Sequence, residues 1–428
     1  MRRTKAVLTF IIALHLFKKD YACTFASLVL KSMSGHKEKS IYSLKFWLLC
    51  FSSFLFSSSF NMLIPELPAY LSSMGGAEYK GYIIGLFTIT AGLSRPFSGR
   101  LTDTVGRVPV MIIGSLVCVL CSLLYPLLTT ISGFLLLRLF HGFSTGFKPT
   151  ATAAYIADVI PMNRWGEAMG IHGLCFSTGL AIGPALGSLI TSYYSINWLF
   201  YCSSFFALLS IIILINLKET HSTKQRFTFS LLKIKGKDIF EPLVLPVAIV
   251  TFFGYLSYGA ILTLIPDWGA HLGVENKGTF YVLFTLASLV VRFIAGRLSD
   301  RKGRVYVLRI GLGLIVLAVF ILGLANSVPT LFTGAVIYGM GTGLFSPAIS
   351  AWTADLSPVE YRGRGMATMY ISLEAGIGIG AFIAGWLFRD QLDSVPYIFY
   401  GAAFITILAL IYLLVIYKPV TVAEPNPL

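Results

Sequence analysis

The sequence predicts an all-α membrane protein in which twelve transmembrane helices form two pseudo-symmetric six-helix bundles. Three observations lead there. Of the 428 residues, 56% are hydrophobic and 12% charged, and the mean hydropathy is +0.78, more apolar surface than a water-soluble domain can hide. Apolar runs of about 20 residues, enough to cross ~30 Å of hydrocarbon as a helix, recur along nearly the whole chain. A charged segment also occurs twice, as GRLTDTVGRV at 99–108 and GRLSDRKGRV at 296–305. No strand-period alternation competes with the apolar runs, which argues against a β-barrel.

Hydropathy and span length place the helices at 45–71, 80–101, 108–129, 131–157, 166–192 and 196–216, then 242–266, 277–299, 306–326, 329–355, 364–388 and 394–417. The first carries Pro65 and Pro68 near its end, and the second runs into the first charged loop. The third is apolar, whereas the fourth holds Arg138, His141 and Lys148. The fifth contains the glycine-rich GLAIGPALG, and the sixth is apolar again. KETHSTKQRFTFSLLKIKGKD follows as the longest polar stretch and reads as a linker. The resulting organisation is an extension at 1–40, a first bundle at 41–217, a linker at 218–240, a second bundle at 241–417 and a tail at 418–428.

Basic residues orient the chain. Arg100, Arg107, Arg164, the lysines from Lys224 to Lys237, Arg297, Arg304, Arg362 and Arg364 fall in loops of one side, and Lys80, Lys277 and Arg389 on the other. The positive-inside rule puts the first set, both charged loops and both termini in the cytoplasm. A net charge of +14 and a pI near 9.5 therefore reflect topology, and no nucleic-acid partner is expected. The six cysteines lie mostly within apolar runs, where thiols pack as small hydrophobes, so neither disulfides nor a metal site is expected. No phosphate-binding loop or nucleophile constellation suggests an enzyme. Short outer loops without an Asn-x-Ser/Thr sequon suit a bacterial-type plasma membrane.

The charged loops repeat at an offset of 197, and the same offset relates Arg95 to Arg292, Gly142 to Gly339, Gly146 to Gly343, Asp158 to Asp355, Pro161 to Pro358, Gly166 to Gly363 and Met169 to Met366. LIPELPAYL at 63–71 answers LIPDWGAHL at 264–272, slightly out of register, with Glu66 matched by Asp267. Six helices per repeat make the repeats parallel about an axis along the membrane normal, an arrangement in which two bundles rock around a central site. In each loop the first glycine, Gly99 or Gly296, is expected to permit close helix packing. The second, Gly106 or Gly303, permits the tight turn. Asp103 and Asp300 are expected to meet a helix N-terminus of the other half or a nearby arginine, as latches made in one rocked state and broken in the other.

These residues resemble the major facilitator superfamily, whose signature loop runs Gly-x-x-x-Asp-Arg-x-Gly-Arg-basic. The second copy fits through Gly296, Asp300, Arg301, Gly303 and Arg304; the first has Gly99, Asp103, Gly106 and Arg107, with Thr104 in place of arginine, and both end in valine, Val108 and Val305. The resemblance implies pairing of Arg107 with Asp158 and of Arg304 with Asp355. RLFHG at 138–142 is similar to the family's Arg-x-x-x-Gly segment, linked with proton coupling. The Gly179, Gly183, Pro184 and Gly187 pattern resembles that of the drug:proton antiporter branch. Its glycines and proline act mechanically, through close contact and a bend.

A charge at membrane depth costs at least ~2.5 kcal/mol and needs a partner or a task. Glu374 lies deep in the eleventh span, and its repeat equivalent is Ser177, so it is the first candidate for proton coupling, against an ion pair with Arg292 or another cation. Glu66 is the second candidate, against gating or a solvated outer acid. Arg138 and His141 complete the coupling set, although a lone histidine is more often a hydrogen-bonded core residue. Lys148, Asn61 and Arg292 are candidates for the substrate cavity; the alternative for Lys148 is neutralising Glu66 or Glu374, and for Arg95 with Arg292 it is snorkelling or bracing the loops.

The expected function is a monomeric proton-coupled secondary transporter, driven by the proton gradient without a cofactor and exporting a small organic compound. Uptake or exchange of an organic anion, suggested by Lys148 with Arg138, is the alternative within transport, and a non-transporting receptor or assembly factor the alternative outside it. The opening MRRTKAVLTFIIALHLFKKD has a basic start and a short apolar stretch but no small-x-small cleavage site. It reads as an interfacial helix or as sequence upstream of a true start at Met33, which opens the polar lead MSGHKEKS. Intact-mass measurement on the native protein is expected to find the start at Met33; a mature terminus at Met1 rejects that expectation.

Overall fold

A computed structural model describes residues 43–161, 164–220, 225–233, 239–358 and 362–416. Lys45–Leu428 forms one compact unit, to which everything below refers. Of the preceding unit, only residues 43 and 44 are described. The extension at 1–40, much of the linker's basic run, the Arg362 side chain and the tail at 418–428 lie outside the described residues.

All regular elements among the described residues are helical. The spans are Leu44–Asn61 continued by Leu67–Ser73, then Lys80–Thr104, Arg107–Leu124, Ile131–Val159, Trp165–Tyr193 and Ile196–Ile215, followed by Leu245–His271, Thr279–Lys302, Arg304–Gly323, Val328–Leu356, Arg362–Phe388 and Val395–Ile411. The sequence places each of them within a few residues. Two differences trace to proline. The first span, expected to be continuous, breaks between Asn61 and Leu67, because Pro65 offers no N–H and its ring opposes the carbonyl four residues back. The seventh, expected to stop at 266, continues through Pro266 to His271; a single proline removes one bond from a helix that its neighbours hold.

Among the described residues, eight of the helices are long and apolar enough by composition to cross a membrane. The first, second and fourth spans fall short of that measure, and the eighth meets it only as a bent pair, Thr279–Arg292 with Ile294–Lys302. They carry, or end at, Glu66, Arg95, Arg138 with Lys148, and Arg292. Polarity in these four spans marks the buried charges described below.

The two halves are packed by the same contacts. Gly142 and Gly146 of the fourth span lie against the carbonyls of Phe87 and Ala91, while Gly339 and Gly343 of the tenth lie against those of Phe284 and Ser288, each partner again offset by 197. In the fifth span Gly179, Gly183 and Gly187 meet the first-span backbone at Phe54, Ser58 and Met62; in the eleventh, Gly376 and Gly380 meet the seventh at Phe252 and Leu256. Lipid is as apolar as a leucine face, so helices associate through close van der Waals contact, and small residues permit it. The motif around Pro184 therefore joins helices of one half.

Between halves, the second span packs on the eleventh and the fifth on the eighth. Contact is tight at the end remote from the charged loops, where Gly81 faces Ala381 and Gly385, and Gly278 faces the backbone of Pro184 and Ala185. At the loop end, by contrast, Gly99, Gly170, Gly173, Gly296 and Gly363 face open space. The expectation that Gly99 and Gly296 sit against a neighbouring helix is thus corrected: neither has a neighbouring atom within van der Waals contact. Gly106 and Gly303 do make the turns, at φ of +131° and +89°, backbone conformations that side chains disfavour.

Replacing Gly142 or Gly339 by leucine is expected to destabilise the protein by about 1–3 kcal/mol through overpacking against backbone, seen as a lower melting temperature in detergent. Gly99→Leu, facing open space, should leave melting unchanged. Equal effects at all three positions would contradict the packing described.

Candidate functional site

At mid-depth an ion pair bridges the halves. Arg95 of the second span donates from Nη2 to Glu374 Oε1 of the eleventh at 2.7 Å, and each side chain is 10% exposed. The guanidinium also lies over the Tyr370 ring, 4.5 Å from its centroid, and Gly92 leaves room beside the Glu374 side chain. Across the same interface, Arg292 of the eighth span donates from Nη1 to Ser177 Oγ of the fifth at 2.9 Å. Arg292 and Arg95, and Glu374 and Ser177, are each related by the repeat offset of 197. The interface therefore holds one arrangement twice, an arginine reaching across to the other half, with a carboxylate at one end and a hydroxyl at the other.

One expectation is narrowed and one changes. Of the cations open to Glu374, Arg292 or another, the partner is Arg95, because the repeat axis brings the second span against the eleventh. Arg95 and Arg292 do not brace the loops; both turn into the interface, where a carboxylate or hydroxyl is available to them.

Beside Arg292 lies a cavity of about 180 Å³, lined by Ser177, Tyr255, Tyr258, Phe284 and Leu373 among others. Tyr258 and Phe284 stand 5.9 Å apart, ring to ring. Of the three residues that the sequence suggests for a substrate cavity, Arg292 alone lines this one. Asn61 bonds within its own helix, to Ser57 O at 2.8 Å. Lys148 is 1% exposed and donates to Ser52 O at 3.1 Å, to Ser52 Oγ at 3.0 Å and to Ser210 Oγ. Its ammonium also sits 4.6 Å from the Phe56 ring centroid. It meets neither Glu66 nor Glu374, since its helix face turns into the first half and away from the interface.

Arg138 and His141 are sealed in the same half. Arg138 donates to Ile83 O at 3.0 Å and to Tyr125 Oη at 3.4 Å, over the Phe87 ring. His141 contacts Tyr125 Oη through Nδ1 and Cys118 Sγ through Nε2, each at 3.2 Å. The network ties the second, third and fourth spans together.

The end remote from the loops carries a second symmetric device. Lys80 pairs with Asp267 at 2.9 Å and with Asp390 at 2.6 Å, and Lys277 pairs with Glu66 at 3.4 Å, which also accepts from Ser188 Oγ at 2.7 Å. Lys80 and Lys277 share the offset of 197, so the proline-linked acid of each half is gripped by the matching lysine of the other. Glu66 is consequently 7% exposed and is not a solvated outer acid. The repeated acids were legible as a motif; their exchange of lysines was not.

In the charged loops, Arg107 donates from Nε to Asp158 at 3.0 Å and from Nη1 to Asp103 at 2.9 Å. Arg304 does the same with Asp355, at 2.9 Å, and with Asp300. Asp103 and Asp300 stay 71% and 69% exposed. Of the two partners expected for these acids, the structure shows the nearby arginine, Arg107 for Asp103 and Arg304 for Asp300; among the described residues neither acid reaches a helix N-terminus of the other half. Arg301 ends the eighth span as an exposed charge. Thr104, in the place where arginine is usual, accepts from Gln225 N at 2.9 Å. Glu219, which sequence patterning does not single out, accepts from the backbone N–H groups of Arg107 and Val108, each at 3.0 Å, so that its charge caps the N-terminus of the third span.

The Major Facilitator Superfamily model matches residues 49–275 and 247–428. The chain is 25% identical over 388 residues to Multidrug resistance protein 2 of Bacillus subtilis, covering 87% of this chain and 96% of that one. It is 27% identical over 359 residues to the multi-drug resistance efflux pump PmrA of Streptococcus pneumoniae, covering 78% and 88%. The human organic anion transporter MFSD10 superposes with a TM-score of 0.69 at 18% identity, covering 86% and 98%, a likeness of fold.

Removing the charge of both lysines, as Lys80→Gln with Lys277→Gln, is expected to loosen the end remote from the loops. Spin labels at Ser73→Cys and Glu275→Cys, in a background free of native cysteines, should then report a population at longer distance. An unchanged distance distribution would mean that the lysines do not hold the halves together.

Proposed function

The chain belongs to the Major Facilitator Superfamily, and we propose that it is a proton-coupled exporter of a small organic compound that works by rocking its two halves about their shared interface. The Arg95–Glu374 pair carries this reading. It joins the halves at mid-depth, so any rocking motion acts on it, and it contains a carboxylate that can accept a proton. The names of the relatives, a multidrug resistance protein and an efflux pump, support export of an organic compound. Proteins of this family are transporters rather than enzymes.

The charged loops face the cytoplasm in this proposal, as the basic residues favour, with both termini on the same side in a cell membrane. The parted loop ends then correspond to an inward-open state, and the Lys80 and Lys277 pairs to a closed outer gate. In this state Glu374 is ionised and held by Arg95, after its proton has left to the cytoplasm, and the site is open to substrate from inside. Rocking outward breaks the outer lysine pairs and exposes the interface to the opposite side. A proton arriving from there neutralises Glu374 and ends its attraction to Arg95, and the substrate departs. Burial and a neighbouring cation act in opposite directions on a carboxyl group, so exchanging partners between states changes its hold on a proton. The proton gradient is the energy source, the protein acts as a monomer, and no cofactor takes part.

Arg138 and His141 shape the half that carries Arg95 and serve the cycle by keeping it rigid. Because Lys148 and Arg138 are bonded within that half, they do not carry the alternative of organic-anion exchange; what favours that alternative is Arg292, taken up below.

In sealed vesicles, Glu374→Gln is expected to lower gradient-driven transport at least tenfold while leaving melting behaviour intact. Transport that still follows the proton gradient in this variant would remove Glu374 from the mechanism.

A further inference from the structure

We propose that Arg292 is the anion-binding residue of the substrate site, and that the transported compound supplies the carboxylate which the repeat lacks at Ser177. The inference rests on the transporter reading and adds to it a site and a substrate class.

Pseudo-symmetry is the first ground. Arg95 and Arg292 occupy equivalent positions and each reaches across the interface, yet only Arg95 finds a carboxylate. At the place equivalent to Glu374 stands Ser177, whose hydroxyl satisfies one N–H and neutralises no charge. The Nε of each arginine is buried with no hydrogen-bond partner, so what separates them is charge: Arg95 has Glu374, and no carboxylate pairs with Arg292 among the described residues. A guanidinium withdrawn from water and left unneutralised is costly at membrane depth. An anionic group entering from solution meets it at the point where the other half uses its own glutamate, and a carboxylate suits the planar fork of a guanidinium.

The cavity is the second ground. Arg292 opens on a space of about 180 Å³ whose wall includes Tyr255, Tyr258, Phe284 and Leu373. An apolar cavity of ~150 Å³ accommodates benzene, so this space has room for a flat ring bearing an acidic group: ring against the aromatic wall, carboxylate on Arg292. Ser177 then donates to the second carboxylate oxygen or to the ring substituent. The other buried cations do not compete, since Lys148 and Arg138 are engaged by hydroxyl and carbonyl groups inside their own half.

Binding to the purified full-length protein, without a gradient, tests the site. The probes are benzoate, salicylate and their primary amides, matched in shape and without charge, and the readouts are thermal stabilisation and titration calorimetry. The carboxylates are expected to bind at least tenfold more tightly than the amides, and Arg292→Gln to abolish the difference. Ser177→Glu, which gives the second arginine its own carboxylate, should weaken carboxylate binding at least tenfold relative to Ser177→Gln, which changes the volume equally without adding charge. Equal binding of acids and amides overturns the proposal, as does absence of binding by either acid, or carboxylate binding that survives Ser177→Glu. Because no proton movement enters the measurement, loss of coupling in Glu374→Gln and failure at Arg292 are separate results.

Discussion

A charge within a membrane-spanning helix has to be neutralised or hydrogen-bonded from another helix, and the structure depends on how that requirement is met. Inside the first half, Lys148 and Arg138 use hydroxyls, a backbone carbonyl and aromatic faces. Between the halves, by contrast, three of the cations meet carboxylates, Arg95 with Glu374, Lys80 with Asp267 and Lys277 with Glu66, and Arg292 meets only the Ser177 hydroxyl. Charges placed across the interface hold the two halves in this arrangement, an attraction that depends on the charge of each partner. Charges placed within a half make that half rigid.

Duplication gives the interface its economy, and divergence gives it direction. The lysine pairs remote from the loops and the two loop networks are present in both copies. Glu374 and Ser177 have parted company. Two equivalent arginines therefore meet different partners, one a carboxylate of the chain and one only a hydroxyl beside a cavity. A repeat that stayed identical at this position would have two internal ion pairs and no unsatisfied cation.

Packing within each half follows from the solvent. Lipid supplies no hydrophobic drive between helices, so glycines such as Gly142, Gly183, Gly339 and Gly380, set against neighbouring backbone, carry the contact. The same residue type serves a different purpose at Gly99 and Gly296, which face open space at the loop end. Small residues there leave room that a side chain would fill, the clearance that the proposed rocking of the halves requires.

By itself, the sequence determined the helices, their number, the repeat and the loop chemistry, because each is local or periodic: a span is a run of apolar residues, a repeat is a constant offset, and the Arg107–Asp158 and Arg304–Asp355 pairs sit at equal spacing in both copies. Glu374 and Ser177 could be singled out as a broken symmetry for the same reason. Partners across the interface were not legible. Which cation holds Glu374, which lysine holds Glu66, and whether Lys148 faces the cavity or the interior of its own half depend on the rotation of each helix about its axis and on how two bundles are set against each other. A difference of 100° per residue, small on the page, turns a side chain from one neighbour to another. Only the tertiary structure decides those rotations, since they follow from the summed packing of every span, and with them it decided which charges lie at the interface between the halves and which in the core of one half.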